Sequence, residues 1–196
     1  MTIETLLISG ANNHDWTRSA PYCRDLLQNS GRFNVLLTEN PCEQLGDKNL
    51  LAKHQLLFVD YNGPAWDDNS KVNFVDAIRN GTGVCILHAA DNAFEGWKEY
   101  EEICALCWRK GTSHGKYHPF NIKITDSDHP ITRGLPPVIK NHPDELYHNL
   151  VHMHEAPYHV IANAFSSEES GGIGKDQPAL VVKEYGKGRV FHCILG

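Results

Sequence analysis

Length, charge and apolar patterning restrict the functions open to this chain. It has 196 residues and a formal net charge of −6, and its lysines and arginines form no run, which argues against nucleic acid as a partner. No apolar run approaches the roughly 18 residues of a membrane span, and no signal-peptide pattern follows Met1. We therefore expect a single domain over residues 1–196, a cytoplasmic location and no membrane partner. These features are also compatible with a homo-oligomer.

The first half of the chain alternates apolar runs with amphipathic stretches. Continuous apolar runs predict strands that are buried on both faces, and the stretches between them predict crossover helices. In the first helix, which ends near Asn29, we expect Tyr22, Leu26 and Leu27 to face inward. The resulting βαβαβαβ order is typical of a parallel, doubly wound α/β sheet with helices on both faces. The predicted strands cover 5–10, 33–38, 56–60 and 83–87.

The second half has a different pattern. A helix is predicted over 96–109, and it would carry Cys104 and Cys107 as reduced helix residues rather than as a zinc or redox pair. Residues 118–124 alternate as a half-exposed strand does, and a glycine-containing turn at 185–188 predicts a hairpin. We expect this half to add antiparallel strands to the sheet.

The central predicted strand ends at a histidine. Residues 83–87 are apolar, and His88, Ala89, Ala90 and Asp91 follow directly. In an open α/β sheet the carboxyl ends of such strands form the ligand crevice, which places His88 at a candidate site. The alternative is a core strand followed by a buried, hydrogen-bonded loop histidine.

Other polar and aromatic residues follow predicted strand ends. Amides and carboxylates suit the vicinal hydroxyls of a sugar, and aromatic rings suit its apolar face, so a carbohydrate fits this set better than a phosphate ester. His14 and Asp15 have an alternative role as helix caps, and Tyr147 has one as a core residue. The predicted binding residues are Asn13, His14, Asp15, Asn62, Trp66, Tyr147 and His148.

Twelve histidines raise the question of a metal site. The spacing of His148, His152 and His154 would suit metal ligands on a helix, but Pro143 and Pro157 flank the segment and break the helical period. We therefore predict no metal ligand and no cofactor, and keep a divalent metal ion only as part of an alternative function.

Four segments, in order, resemble the ThuA-like (trehalose utilisation) family over essentially the whole chain. The resemblance implies the class I glutamine amidotransferase-like fold, a flavodoxin-like sheet with helices on both faces. Such chains usually continue with a histidine and a final helix, so we expect this domain to lack a C-terminal helix. The segments are Gly83-Val-Cys-Ile-Leu-His-Ala-Ala-Asp91, Asp128-His-Pro-Ile-Thr-Arg-Gly-Leu-Pro136, Asp144-Glu-Leu-Tyr-His148 and Tyr185-Gly-Lys-Gly-Arg-Val-Phe-His192.

The chain departs from true amidotransferases at the nucleophile. By that comparison His88 occupies the place of the catalytic cysteine, whereas Cys85 lies within an apolar strand, where desolvation makes a poor thiolate. Glutamine hydrolysis is therefore not expected.

The resemblance implies a small sugar substrate, such as a keto-sugar or a 3-keto-glycoside. A histidine paired with a carboxylate can act as a general acid or base near neutral pH, so His88 with Glu145 or Asp91 forms the predicted catalytic set of an isomerase, lyase or hydrolase. One alternative is a non-catalytic carbohydrate-binding or regulatory module of the same fold. The second alternative is a metal-dependent hydrolase.

Overall fold

The computed structural model describes residues 2–196. Within this range no helix is long and apolar enough to cross a membrane. The helices are α1 (Trp16–Asn29), α2 (Pro41–Leu45), α3 (Lys48–Leu51), α4 (Asp68–Arg79) and α5 (Lys98–Cys104). The strands are β1 (Ile3–Ile8), β2 (Phe33–Thr38), β3 (Leu56–Val59), β4 (Gly83–Leu87), β5 (Leu106–Cys107), β6 (Ser113–His114), β7 (His118–Ile124), β8 (Val138–Asp144), β9 (Tyr147–His148), β10 (Val151–His152), β11 (His159–Ser166), β12 (Lys175–Tyr185) and β13 (Gly188–Cys193).

A nine-stranded sheet forms the centre of the molecule, in the order β2-β1-β3-β4-β13-β12-β11-β7-β8. The strands from β2 to β13 are parallel, and every later pair is antiparallel. The predicted α/β fold with an antiparallel extension is therefore confirmed. The hairpin of β12 and β13 joins the two parts, because β13 also pairs in parallel with β4.

Helices cover both faces of the parallel part. On one face, Ala20 of α1 packs against Leu7 and Val35, whereas α4 and α5 cover the other face. The predicted inward face of α1 was wrong for two residues, since Tyr22 is 67% and Leu26 58% exposed. The small side chain of Ala20 allows α1 to approach the sheet closely. The spacing of the large apolar residues in this helix does not indicate that face.

The predicted helix over 96–109 is shorter than expected. It ends at Cys104 because Ala105 adopts a φ of 62°, in the left-handed region that terminates helices. The chain then enters the short strand β5, so Cys104 and Cys107 lie in different elements. Both thiols are buried and free, as expected for reduced residues, but only Cys104 is helical.

A buried arginine holds the turn that follows β4. Residues 88–92 form a 3₁₀ turn, and the guanidinium of Arg109 donates to the carbonyls of Asp91 and Asn92 at 3.3 Å and of Ala93 at 3.2 Å. Its Nη2 also lies 2.9 Å from Glu101 Oε1, and both side chains are less than 10% exposed. This buried ion pair fixes the segment that carries His88.

Glu101 is ionised despite its burial. Burial alone would raise its pKa, but the Gly96 N–H, His154 and Arg109 all bond to the carboxylate and together lower its pKa below the ordinary value of 4.5. His154 Nε2 lies 2.8 Å from Glu101 Oε2. The stabilisation from this network is therefore present above pH 4.5 and is lost as the pH falls through the lowered value.

A second buried pair lies beneath the same turn. Asp91 is completely buried, and its Oδ2 lies 3.4 Å from Nε2 of His192. His192 Nδ1 lies 3.2 Å from the carbonyl of Cys104, which only accepts, so Nδ1 carries a hydrogen. Neither carboxylate oxygen of Asp91 nor His192 Nε2 has a hydrogen-bond partner within residues 2–196, so the contact between these two side chains is the polar contact that remains to them.

We predict that Arg109→Met destabilises the protein by about 3–5 kcal/mol near pH 7, because it leaves Glu101 buried without its cation. The loss should shrink as the pH falls below 4.5, where Glu101 becomes protonated. Urea unfolding at several pH values measures both effects. Arg24→Met, which breaks the exposed pair with Asp25, is the matched control and should change the stability little. An equal cost at low and neutral pH would contradict this account.

We further predict that Asp91→Ala lowers the free energy of unfolding by about 3 kcal/mol, since His192 is left without its partner in the core. Glu145→Gln serves as the comparison, because Glu145 Oε2 lies 3.9 Å from His114 Nε2 and neither side chain is buried. Equilibrium denaturation of the two variants distinguishes a structural carboxylate from one that is free for ligand. Equal stabilities would show that the Asp91–His192 contact has no structural weight.

Candidate functional site

A cleft of about 590 Å³ opens where the parallel strands end. β1, β3, β4 and β13 all contribute residues at their carboxyl ends. The strand order reverses between the neighbouring strands β1 and β3, which is the usual place for a ligand in this fold class. The antiparallel part supplies the opposite wall from the segments around β7 and β8. The polar side chains of the cleft are those of Asn12, His14, Asp15, Arg18, Ser19, Asp60, His88, Tyr117, Asp144 and Glu145.

His88 lies at the floor of this cleft and is only 7% exposed. Its φ of 45° is in the left-handed region that favours glycine, a strain that a folded protein retains where the surroundings fix the turn. Nδ1 lies 2.7 Å from the carbonyl oxygen of Ile194. A carbonyl accepts only, so Nδ1 carries the hydrogen, and in the neutral ring Nε2 is an acceptor.

Tyr147 occupies the other side of the His88 ring. Its hydroxyl lies 2.8 Å from His88 Nε2, and the two rings stack with centroids 4.3 Å apart. Burial, followed by the nearby charges of Asp91, Glu145 and Asp144, raises the pKa of Tyr147. The phenol therefore stays protonated and donates to His88, so both ring nitrogens of His88 are engaged.

His14 completes a line of three side chains. Its Nε2 lies 3.4 Å from the Tyr147 hydroxyl oxygen, and its ring centroid is 4.8 Å from that of His88. Partial burial and the neighbouring His88 lower the pKa of His14, although Glu145, Asp60 and Asp144 act in the opposite direction. His14 is therefore neutral at pH 7, and it faces the cleft.

Asp60 is a functional candidate that the sequence reasoning missed. Burial raises its pKa, while Ser19 and Asn12 bond to it: the Ser19 hydroxyl donates at 2.6 Å and Asn12 Nδ2 at 2.9 Å. Asp60 follows the apolar strand β3 just as His88 follows β4, and that signal could have identified it.

Asp144 and Glu145 form the wall contributed by the antiparallel part. Asp144 is 5% exposed, and its carboxylate accepts the backbone N–H of Glu145 at 2.7 Å and that of Gly196 at 2.9 Å. Gly196 packs directly against His88, since a Cβ at position 196 would lie 2.8 Å from the imidazole ring. The end of β8 is thereby tied to the segment after β13.

Tyr117 and Asp144 are two further cleft residues that were not among the predicted site residues. Tyr117 is 67% exposed at the mouth of the cleft, where an aromatic ring can stack on a ligand. Tyr117 precedes β7 and Asp144 ends β8, and these strands pair with the register His118 to Asp144. That long-range pairing brings both residues to the cleft, and no local pattern reports it.

The structure brings together only part of the predicted set. His14, Asp15, His88 and Glu145 line one cleft, and Tyr147 lies directly behind His88. Asn13 and Asn62 bond to each other at 2.7 Å outside its walls.

Three predicted residues belong to the interior. Asp91 lies in the core against His192, because the 3₁₀ turn directs it away from the cleft. Trp66 is 3% exposed, within a cluster of aromatic rings that includes Phe74 and Phe94. His148 is 5% exposed, and its Nδ1 lies 3.3 Å from the Ser166 hydroxyl. The structure therefore places Asp91, Trp66 and His148, which were predicted as catalytic or binding residues, outside the walls of the cleft.

Metal-ligand residues do not converge in the described part of the chain. Across residues 2–196 there is no group of three or more His, Cys, Asp or Glu side chains placed to hold a metal ion. The six cysteines are all free. Burial raises the pKa of Cys85 well above the ordinary value for a thiol.

Comparisons with known proteins agree with this architecture. A ThuA-like protein from Parabacteroides merdae is 34% identical, with a TM-score of 0.88 over 100% of this chain and 80% of that chain. A ThuA-like protein from Bacteroides uniformis, 14% identical, gives a TM-score of 0.78 over 99% of this chain and 82% of that chain. A cytoplasmic protein from Salmonella typhimurium LT2, 16% identical, gives a TM-score of 0.68 over 97% of this chain and 87% of that chain. These last two likenesses concern the fold alone.

No relative is found among curated proteins. The family model ThuA, described as trehalose utilisation, matches residues 4–196. The match covers nearly the whole sequence, and the structural neighbour with 34% identity carries the same family name. The chain therefore belongs to the ThuA (trehalose utilisation) family.

Proposed function

We propose that the cleft binds a keto-sugar, such as a 3-keto-glycoside, and moves a proton at the carbon next to the carbonyl. The observation that carries this proposal is the placement of two imidazoles beside four carboxylates in one cleft of about 590 Å³. Histidine and carboxylate are the groups that exchange protons near neutral pH. Membership of a family described as trehalose utilisation supports a sugar as the substrate.

The proposed step needs no co-reactant. A base of the cleft takes the proton from the carbon next to the carbonyl, the carbon–hydrogen electron pair forms a carbon–carbon double bond, and the carbonyl electron pair moves to the oxygen. When the deprotonated carbon carries a hydroxyl, the hydroxyl proton passes to the former carbonyl oxygen, and return of a proton to the former carbonyl carbon then gives the isomeric ketone. When the next carbon carries a leaving group, the enolate instead expels it with its bonding electron pair as the carbonyl re-forms, and the proton held by the base goes to the leaving group.

The composition of the cleft also supports a sugar. Asp60, Asp144 and Glu145 present acceptor oxygens that suit the hydroxyls of a sugar ring, and the exposed ring of Tyr117 provides an apolar face at the mouth. Two of these carboxylates already accept protein hydrogen bonds, which fixes their orientation before a ligand arrives.

Cysteine chemistry is a weaker reading of the same site. In glutamine amidotransferases a cysteine is the nucleophile, but here the raised pKa of Cys85 keeps its thiol protonated within β4. The state of the cysteines bears on location as well. We infer a cytoplasmic protein, because all six thiols are free, as is usual in a reducing compartment.

A non-catalytic sugar-binding module is the alternative that one observation favours. Both ring nitrogens of His88 are occupied, by the Ile194 carbonyl and by the Tyr147 hydroxyl, as in a structural histidine. Such a module would keep the carboxylates and Tyr117 for binding and would turn nothing over. The metal-dependent hydrolase has no ligand cluster within residues 2–196 in its favour.

We predict that the protein catalyses the exchange of deuterium from heavy water into 3-keto-trehalose or a simple 3-keto-glucoside at the carbon next to the carbonyl. NMR of the sugar measures the rate of this exchange. His88→Ala should lower the rate by about 100-fold or more, since it removes the ring that contacts both Tyr147 and His14 at the floor of the cleft and so displaces the groups that exchange the proton. His159→Gln alters an exposed histidine paired with Asp126 and should leave the rate unchanged.

Exchange that is absent in the wild-type protein, with saturation-transfer signals that mark bound sugar, would replace the enzyme with the binding module. Neither exchange nor binding would reject the sugar proposal altogether. Trehalose itself, which has no carbonyl, is the negative control for exchange.

Tyr117→Ala should weaken sugar binding by about tenfold while leaving the maximal rate of bound substrate nearly unchanged, because the ring contacts the sugar equally before and during the reaction. Initial rates over a range of substrate concentrations separate KM from kcat. Tyr22→Ala, an equally exposed tyrosine on α1, is the matched control. A fall in kcat at unchanged KM would assign Tyr117 a role in the chemistry instead.

A further inference from the structure

We infer that Nδ1 of His14 is the proton acceptor of the cleft, and that Tyr147 and His88 are positioning residues that hold His14 in the required tautomer. The inference rests on the proposed proton transfer and names the group that performs it. It also departs from the sequence-based expectation, which gave the acid–base role to His88.

The Ile194 carbonyl, which bonds to His88, can only accept a hydrogen. It fixes the hydrogen of His88 on Nδ1 at 2.7 Å, so Nε2 of the neutral ring must accept. The only group bonded to Nε2 among residues 2–196 is the Tyr147 hydroxyl, at 2.8 Å, which therefore donates its single hydrogen to His88. The phenol oxygen has no hydrogen left for a second partner.

The Tyr147 hydroxyl in turn sets the tautomer of His14. Its Nε2 lies 3.4 Å from that phenol oxygen, which is now an acceptor, so the contact is favourable when Nε2 carries the hydrogen. The lone pair of the neutral ring is then on Nδ1. No hydrogen bond within residues 2–196 reaches His14 Nδ1, whereas both nitrogens of His88 are engaged. His14 therefore holds the free imidazole base of this line.

The charges around His14 suit a base. Partial burial and His88 lower its pKa, which keeps it unprotonated at neutral pH. Once it has taken a proton, the imidazolium faces carboxylates on two sides of the cleft, from the parallel strands and from the antiparallel wall, and these stabilise the positive charge. The charged and titratable groups around His14 in the cleft are Asp15, Arg18, Asp60, His88, Asp144 and Glu145.

The transfer itself balances within the cleft. The carbon–hydrogen bond next to the carbonyl breaks, the proton goes to His14 Nδ1, and the electron pair ends as the enolate of the sugar. The hydroxyl proton of the deprotonated carbon passes to the former carbonyl oxygen, and His14 returns its own proton at the former carbonyl carbon, which leaves the isomeric ketone. Tyr147 and His88 keep their hydrogens throughout, because each already donates to a fixed acceptor.

The first test needs no substrate. Long-range proton–nitrogen NMR of the ¹⁵N-labelled protein near pH 7 identifies which nitrogen of each neutral imidazole carries a hydrogen. We expect Nδ1–H for His88 and Nε2–H for His14, with assignments from His14→Gln and His88→Gln. In Tyr147→Phe the His14 Nε2 signal should shift, while His159, at the far end of β11, stays unchanged. Nε2–H on His88, Nδ1–H on His14, or an unmoved His14 signal in Tyr147→Phe would overturn the inference.

The second test uses deuterium exchange of the keto-sugar. His14→Ala should lose about 100-fold or more and regain part of the rate with added imidazole, because the vacated space opens to the cleft mouth. Tyr147→Phe should lower the rate less and alter its pH profile, since the His14 ring remains but its tautomer is no longer fixed. A rate in His14→Ala close to that of the wild type overturns the inference and leaves the proposed function intact. If the wild-type protein shows no exchange, the proposed function is rejected. The NMR experiment alone then decides which nitrogens of His88 and His14 carry hydrogens.

Discussion

The hydrogen bond between His88 Nδ1 and the Ile194 carbonyl joins the carboxyl ends of two adjacent parallel strands, β4 and β13. It places the hydrogen of His88 on Nδ1, and this sets which atom donates in the contacts of Tyr147 with His88 and with His14. The strained φ of His88 is tolerated because this bond, the stacked Tyr147 ring and Gly196 surround the side chain. The floor of the cleft is therefore defined by a backbone oxygen from a strand that is distant in sequence.

Charged groups in this protein occupy two different environments. Beneath the 88–92 turn, Arg109 and Glu101 form a buried pair, and Asp91 contacts His192 in the core. Above the turn, Asp60, Asp144 and Glu145 face the cleft without a cation of their own inside it other than Arg18. The Arg109–Glu101 pair holds the turn, and the cleft carboxylates lie on its other side, so one short segment separates buried charge pairs from carboxylates that line the cleft.

Much of the fold could be predicted from the sequence, because apolar runs, helix periodicity and turn residues act locally. The strand that ends at His88 and the antiparallel second half were both expected, and four short motifs indicated the family. The site was predicted less completely. Asp91 is three residues after His88, but the 3₁₀ turn sends it into the core. Tyr117 and Asp144 reach the cleft only through the pairing of β7 with β8. The end of α5 depends on the φ of Ala105, which has no signal in the residue type.

Gly196 has a consequence for how this protein tolerates sequence change. Its N–H donates to Asp144, and any side chain at this position would lie 2.8 Å from the His88 ring. A methyl group there would push the imidazole away from Tyr147 and loosen the link to β8 together, so a single substitution would disturb both walls of the cleft. Position 196 therefore cannot take a side chain unless the His88 ring moves, although the residue lies outside the regular strands.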